Sequence, residues 1–263
     1  MKITIIGAGH MGRAIAWGLA EGSQVSAKDI TCTAQTAGTL QKVQMKGHHD
    51  IVALRDNIQA VQEADLILLC VKPWAIEGVV REILPALKLE KQVILSVAAG
   101  ITFEQLEAYL GTSSAALFRL IPNTAIEVKQ SMTLVAARHA SPAQTEQVLA
   151  LFRELGQAIL IDEAHLEAAT ALASCGTALA MRYMRASVEA GVELGLRPDL
   201  AQELVAQTLK GAAELLQFNQ THPEEEIDKV TTPGGYTIRG LNAMEHAGFS
   251  SAVIQGLKAC VAK

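Results

Sequence analysis

The most restrictive stretch of this chain lies at its start. Lys2-Ile3-Thr4-Ile5-Ile6 is a short apolar run that ends in Gly7-Ala8-Gly9-His10-Met11-Gly12, and helical spacing begins at once in HMGRAIAWGLAEG. A G-x-G-x-x-G pattern in isolation is a weak signal, but between a strand and a helix it has a mechanism. Gly7 permits the tight turn, Gly9 lets the backbone approach a pyrophosphate, and Gly12 allows helix to pack closely on strand. The helix N-terminus adds positive potential. Ile6 through Gly12 is therefore the candidate cofactor-binding segment; its rival reading is a glycine-rich turn that binds nothing.

Alternation of strands and helices continues downstream. DITCTA, ADLILLCVKP, QVILSVAAG, AALFRLIPNTA, SMTLVAA and QAILID read as strands. VREILPALKLE, TFEQLEAYLG (opened by Thr102 as N-cap) and SPAQTEQVLALFRELG read as helices between them. Apolar strands separated by helices imply a mostly parallel sheet covered on both faces. Strands stop near Asp162. Glu163 to Gly195 then reads as one helix of roughly 50 Å. Its Ala/Gly/Ser-rich centre is apolar on nearly every face, so it needs cover, and a homodimer interface is preferred over burial within its own chain. These features divide the chain into 1–162, a dinucleotide-binding domain, and 163–263, an all-helical domain.

Composition narrows the partners. A net charge of −5 without a Lys/Arg cluster gives no reason to expect nucleic acid. The apolar stretch from Ala168 to Met181 is too short to span a bilayer. Cys32, Cys70, Cys175 and Cys260 are scattered, without metal-like spacing, and are expected to be free thiols in a reducing cytosol. A cytoplasmic protein without a metal is the expectation. His48-His49-Asp50 reads as a solvated loop, because adjacent residues converge poorly on an ion.

Ligands bind beyond the carboxyl ends of strands in open α/β sheets. Four such ends are informative. The second strand runs into Thr33-Ala34-Gln35-Thr36, with no carboxylate to favour a ribose hydroxyl and no arginine to select a 2′-phosphate. Hydroxyls and an amide tolerate the phosphate, so NADP(H) is favoured over NAD(H), with Thr33 and Gln35 as contacts. Asp29 is the acidic alternative if the strand lies a few residues earlier in the chain. Val71-Lys72-Pro73, Ala98-Ala99-Gly100 and Asn123 close three further strand ends. Trp74, next to Pro73, either packs near the cofactor or caps the sheet.

A second turn appears near the other terminus. In DKVTTPGGYTIRGLNAME, Asp228 to Glu245, helical spacing at Ile238, Leu241 and Met244 resumes directly after Pro233-Gly234-Gly235. Free N–H groups at such a helix start accept an anion.

With these motifs on the page the chain resembles the pyrroline-5-carboxylate reductase family. The resemblance runs along essentially the whole length, through G-x-G-x-M-G, VKP, S-x-A-A-G, PNT and above all TPGGYTIRGLNAMEHAGF. It implies an α/β fold: an N-terminal Rossmann-type, mostly parallel sheet followed by an all-α C-terminal dimerisation domain that interlocks with a second subunit. Higher oligomers are compatible with it. It implies reduction of the cyclic imine 1-pyrroline-5-carboxylate to L-proline by a nicotinamide cofactor. It places Asn57 near the adenosine side and residues 71–73 and 98–100 beside the nicotinamide. Thr232, Gly234, Gly235, Tyr236 and Thr237 would take the substrate carboxylate, with Thr237 near the ring nitrogen as the catalytic hydroxyl. The chain departs from the family in three places. Ser174 to Ala180 lacks a family proline, which predicts a straighter long helix. Arg182 stands where the family tends to be aromatic, as a buried carboxylate or phosphate ligand or as a helix-surface or interface salt bridge. Tyr236 replaces a small residue and would narrow the pocket. A β-hydroxyacid dehydrogenase or related imine reductase shares the phosphate turn, but such dehydrogenases use a lysine on the long helix, and 163–195 has none. A non-catalytic NADP-binding sensor is the third reading, and it has no use for the second turn.

Overall fold

In the computed structural model, residues 1–45 and 47–261 are described. Backbone contacts divide the chain into Met1–Ser174 and a second unit from Cys175 onward.

The first unit is built on an eight-stranded sheet of order β3-β2-β1-β4-β5-β6-β7-β8. Its central strands β1 (Ile3–Ile6), β4 (Leu66–Leu69) and β5 (Val93–Ser96) are buried at every position. That is why they read as continuous apolar runs rather than alternating ones. Successive side chains serve opposite faces. Ile5, Leu68 and Leu95 join Ile15, Phe118 and Phe152 on one side. Ile6, Leu69 and Ile94 join Ile76, Phe103 and Leu106 on the other. β2 (Ile30–Thr33) pairs in parallel with β1, with Ile6 beside Thr33. On its other flank β1 pairs with β4, Ile6 beside Leu69. The order therefore reverses at β1, and the crevice beyond Ile6 is the topological switch point where such sheets bind ligands.

Helices α1 (His10–Ala20), α2 (Ala37–Val43), α3 (Asn57–Val61), α4 (Ile76–Ile83), α5 (Phe103–Leu110) and α6 (Pro142–Arg153) connect the strands. α5 and α6 open with reciprocal capping boxes at Thr102/Gln105 and Ser141/Gln144. α4 starts at Ile76, earlier than its spacing suggested, and Pro85 turns its end into a tight 3-10 turn at Leu84–Ala86. The edge strand β3 (Val52–Leu54) was not anticipated. Three half-exposed residues carry too little periodicity to announce a strand. β6 (Leu117–Ile121) and β7 (Ser131–Arg138) are antiparallel, joined by a 3-10 turn at Thr124–Val128 too short for a crossover. β8 (Gly156–Leu160) returns parallel to β7 after α6.

The expected single helix from Glu163 to Gly195 is corrected. A 3-10 turn at Glu163–His165 leads into α7 (Leu166–Thr170), a π-helical turn at Ala171–Cys175, and α8 (Gly176–Glu193). Losing a proline does not leave the hydrogen-bond ladder regular. Asn123 Nδ2 donates to the Ala173 carbonyl at 2.9 Å, and an outside donor entering the ladder is a recognised cause of such a break.

In the second unit α8 packs on α9 (Pro198–Asn219), with a Cβ on Gly191 only 3.0 Å from that of Ala201. α10 (Pro223–Val230), α11 (Tyr236–His246) and α12 (Phe249–Ala259) complete it. Among the described residues from 175 onward, Ala201 alone is buried.

Candidate functional site

The turn after β1 is held from two sides. The amides of Gly7 and Ala8 both donate to the Thr33 carbonyl, at 3.1 and 2.8 Å. Gly7 has φ +99°, and a Cβ there would sit 2.8 Å from the Cys70 carbonyl oxygen and from Val71 Cγ1. A Cβ on Gly12 would overlap the Gly7 carbonyl oxygen. Both glycines are thus required by the protein's own packing. Gly9 is different. Its φ is −64°, which any residue tolerates, and a Cβ on it would meet nothing within 4 Å. Packing gives no reason for a glycine there, whereas a close-lying pyrophosphate does. Gly9 is the N-cap of α1 and has no side chain to cap it, so the first-turn amides of His10, Met11 and Gly12 face outward. The residues present fit a dinucleotide. His10 Nε2 meets Glu127 at 2.8 Å, both exposed.

The β2 end forms a tied scaffold. The buried Thr33 hydroxyl donates to Asn57 Oδ1 at 2.6 Å, and Asn57 Nδ2 donates to Glu82 at 3.1 Å. Gln35 is exposed beyond them. Asp29 precedes β2, at the end of the strand away from the crevice, which removes it as the acidic alternative. On the β4 and β5 side, Lys72, Ala99 and Gly100 are exposed, Val71 and Pro73 are half-buried and Ala98 is buried. Gly100 has φ +81°. Trp74 is 83% exposed and therefore caps nothing in the sheet. The Asn123 side chain is occupied by Ala173 and by the Ala125 amide.

The second turn is equally defined. Gly234 adopts φ +72°, and the Gly235 amide donates back to the Thr232 carbonyl at 2.9 Å. A Cβ on Gly235 would run into Thr232 Oγ1. Gly235 caps α11 without a side chain, so the amides of Tyr236, Thr237 and Ile238 are open, and Thr237 is exposed beside them. Tyr236 is 88% exposed, and its ring carries the Arg239 guanidinium 4.9 Å from the centroid. Arg239 Nε also donates to the Gly235 carbonyl at 3.3 Å.

No group of three His, Cys, Asp or Glu side chains able to hold a metal occurs among the described residues. His48 instead stacks on Trp17 at 5.4 Å and meets Glu21 at 3.2 Å. A cleft of about 340 Å³ lies here, against the later turns of α1, but its Glu21 and Lys129 already pair with each other at 2.9 Å. The four cysteines are free, and burial pushes the Cys32 thiol up to about 12, which makes it a packing residue. Arg182 is exposed on α8 within the single chain. No helix among the described residues is long and apolar enough to cross a membrane.

Comparison with known proteins decides the family. Residues 163–263 match the model for pyrroline-5-carboxylate reductase dimerisation, and residues 2–100 match that for NADP oxidoreductase, coenzyme F420-dependent. Pyrroline-5-carboxylate reductase 1 of Dictyostelium discoideum is 37% identical over 97% of this chain, which spans 48% of that longer protein. The pyrroline-5-carboxylate reductase of Pseudomonas aeruginosa is 36% identical over 98% of this chain and 93% of its own length. The solved structure of a pyrroline-5-carboxylate reductase from Coxiella burnetii is 30% identical, with a TM-score of 0.91 over 99% of this chain and 96% of that one. This chain belongs to the pyrroline-5-carboxylate reductase family.

Sequence reasoning missed three charged residues of this reductase. Arg239 had a local signal, since i+3 and i+4 neighbours on a helix meet and it lies three residues after Tyr236. Glu82 and Arg55 had none. Each reaches its partner across a strand or helix boundary, Glu82 to Asn57 and Arg55 to the Gln35 carbonyl.

Proposed function

We propose that this chain reduces the C=N bond of 1-pyrroline-5-carboxylate to L-proline, the last step of proline biosynthesis, using NADPH in preference to NADH. The carrying observation is the Thr232–Thr237 turn. Its φ +72° glycine and uncapped helix start present main-chain donors to a small anion, and Arg239 adds positive charge. When bound, a reduced nicotinamide supplies the hydride that the imine carbon accepts. The chain's own residues do the rest. Gly7, Gly9 and Gly12 with the amides of residues 10–12 hold the pyrophosphate. Asn57 orders the adenosine side, and residues 71–73 and 98–100 border the nicotinamide. The open amides of Tyr236 and Thr237, beside the Gly235 backbone, hold the substrate carboxylate and so fix the ring. The Thr237 hydroxyl donates a hydrogen bond to the ring nitrogen as it becomes an amine. Positioning supplies much of the acceleration, since the cofactor carries the difficult chemistry. We further propose a cytosolic homodimer formed through the C-terminal helices.

The test is a turnover assay on the purified protein. NADPH is oxidised when pyrroline-5-carboxylate is supplied, and proline accumulates in equal amount. Turnover of 3-hydroxy acids alone would identify a dehydrogenase instead. Cofactor binding with no turnover of either substrate would identify a sensor.

A further inference from the structure

The β2 end lacks the arginine that ordinarily selects a 2′-phosphate, but the fold brings one in from the neighbouring strand. β3 pairs with β2 so that Leu54 stands beside Thr33. The residue after Leu54 is Arg55, which therefore emerges at the same edge as Ala34 and Gln35. Its Nη2 donates to the Gln35 carbonyl at 3.1 Å, which places the guanidinium directly over that strand end. Arg55 is exposed, and it pairs with no carboxylate among the described residues. Two acids reach this end of the sheet and both are engaged, Glu82 by the Asn57 amide and Asp56 by the Gln59 N–H at the start of α3. A guanidinium has five N–H donors in a fixed fork, and one bond to a carbonyl leaves most of them available. In a sheet of this topology the adenosine ribose lies at the carboxyl end of β2, where an acidic residue favours a 2′-hydroxyl and an arginine accommodates a 2′-phosphate. Here the acid is absent from Thr33-Ala34-Gln35-Thr36 and the arginine is present in space.

We propose that Arg55 binds the 2′-phosphate of NADPH and sets the preference of this reductase for NADPH over NADH. The inference rests on the dinucleotide reading of the Gly7–Gly12 turn. The Gln35 carbonyl fixes one arm of the guanidinium, so the remaining edge is oriented for a bidentate phosphate contact, a geometry lysine does not reproduce.

Calorimetric titration of the full-length protein tests this without any turnover. The probes are NADP⁺, NAD⁺ and adenosine 2′,5′-bisphosphate. Wild type binds NADP⁺ more tightly than NAD⁺. Arg55→Gln weakens NADP⁺ and the bisphosphate by about 10- to 100-fold, the range for a charged hydrogen-bond pair, and leaves NAD⁺ within about twofold. Arg55→Lys restores part of the loss, and circular dichroism confirms that the variants fold. Equal weakening of NADP⁺ and NAD⁺, or no change in either, overturns the role of Arg55 while leaving the dinucleotide site standing. Wild-type protein that binds none of the three probes removes that site, and this inference with it.

Discussion

Gly9 and Gly12 stand three residues apart and serve opposite ends. A Cβ on Gly12 overlaps the Gly7 carbonyl oxygen, whereas one on Gly9 meets only open space at an ordinary φ. Gly12→Ala therefore costs about 1–3 kcal/mol of stability through overpacking and lowers the urea midpoint. Gly9→Ala leaves that midpoint unchanged and weakens dinucleotide binding. Equal effects of the two changes on stability would make Gly9 a packing glycine and remove the main structural sign of the cofactor. At the other turn, Thr237 is exposed beside three open amides. Thr237→Ala is expected to lower kcat by about 10- to 1000-fold, the span of general acid–base effects, with cofactor affinity unaltered. A wild-type kcat in that variant excludes the hydroxyl from proton delivery.

At the scale of elements, an ionic cluster ties strands to helices within the first unit. Arg119 on β6 donates to Glu163 at 2.6 Å, and Arg138 on β7 reaches Glu163 at 3.0 Å and Glu104 on α5 at 2.8 Å. Glu163 also accepts from the Phe103 amide at 2.9 Å, so one carboxylate joins β6, β7, α5 and the 3-10 turn that precedes α7. Arg119 is 8% exposed. Glu163→Gln leaves that cation short of its partner and should cost about 3 kcal/mol in denaturant titration. A change below about 0.5 kcal/mol, the usual bound for surface substitutions, would show that solvent compensates the arginine. A second carboxylate governs the link between α9 and α10. Glu226 accepts from Lys229, Thr221 and Asn219, and these donors, Lys229 first, lower its pKa to about 2. A depressed carboxyl stabilises the fold above its unfolded value and loses that contribution as pH falls through the folded one. Amide protection factors across residues 219–226, taken against the intrinsic exchange rate at each pH, should stay constant above the usual glutamate value of about 4.3. They should fall as pH drops toward about 2. Glu226→Gln should abolish that dependence; if the pH response persists in the variant, another group controls the link.

At the scale of the molecule, the second unit has helices without a core. Of its described residues Ala201 alone is buried, while Phe218 is 88% exposed and Leu204 and Leu215 are each 49% exposed. Leu200, Leu204, Gly211, Leu215 and Phe218 fall on one stripe of α9, spaced by helical turns. An apolar face of that extent does not stay in water. The family model covering 163–263 describes dimerisation. Light scattering should therefore give twice the 28.0 kDa chain mass. The double change Leu204→Glu, Leu215→Glu should reduce that to a single chain or unfold the C-terminal helices, which circular dichroism distinguishes. A wild-type protein of one chain mass contradicts the proposed homodimer.

Both turns were legible from residue order alone, because each depends on a handful of consecutive residues. Gly7-Ala8-Gly9-His10-Met11-Gly12 between an apolar run and a helix, and Thr232-Pro233-Gly234-Gly235 before another, are statements about local φ and free amides, and the backbone obeys them in place. The apolar strands β1, β4 and β5 were equally readable, since burial on both faces demands uninterrupted hydrophobic residues. Other features had no local trace. The edge strand β3 exists because β2 offers it hydrogen bonds. The π-turn at Ala171–Cys175 follows from an amide donated by Asn123, 50 residues earlier. The cluster around Glu163 and the placement of Arg55 over Gln35 likewise join residues far apart in the chain. Order along a chain encodes turns and periodicity, whereas the meeting of distant charges is settled only when the sheet brings its strands side by side.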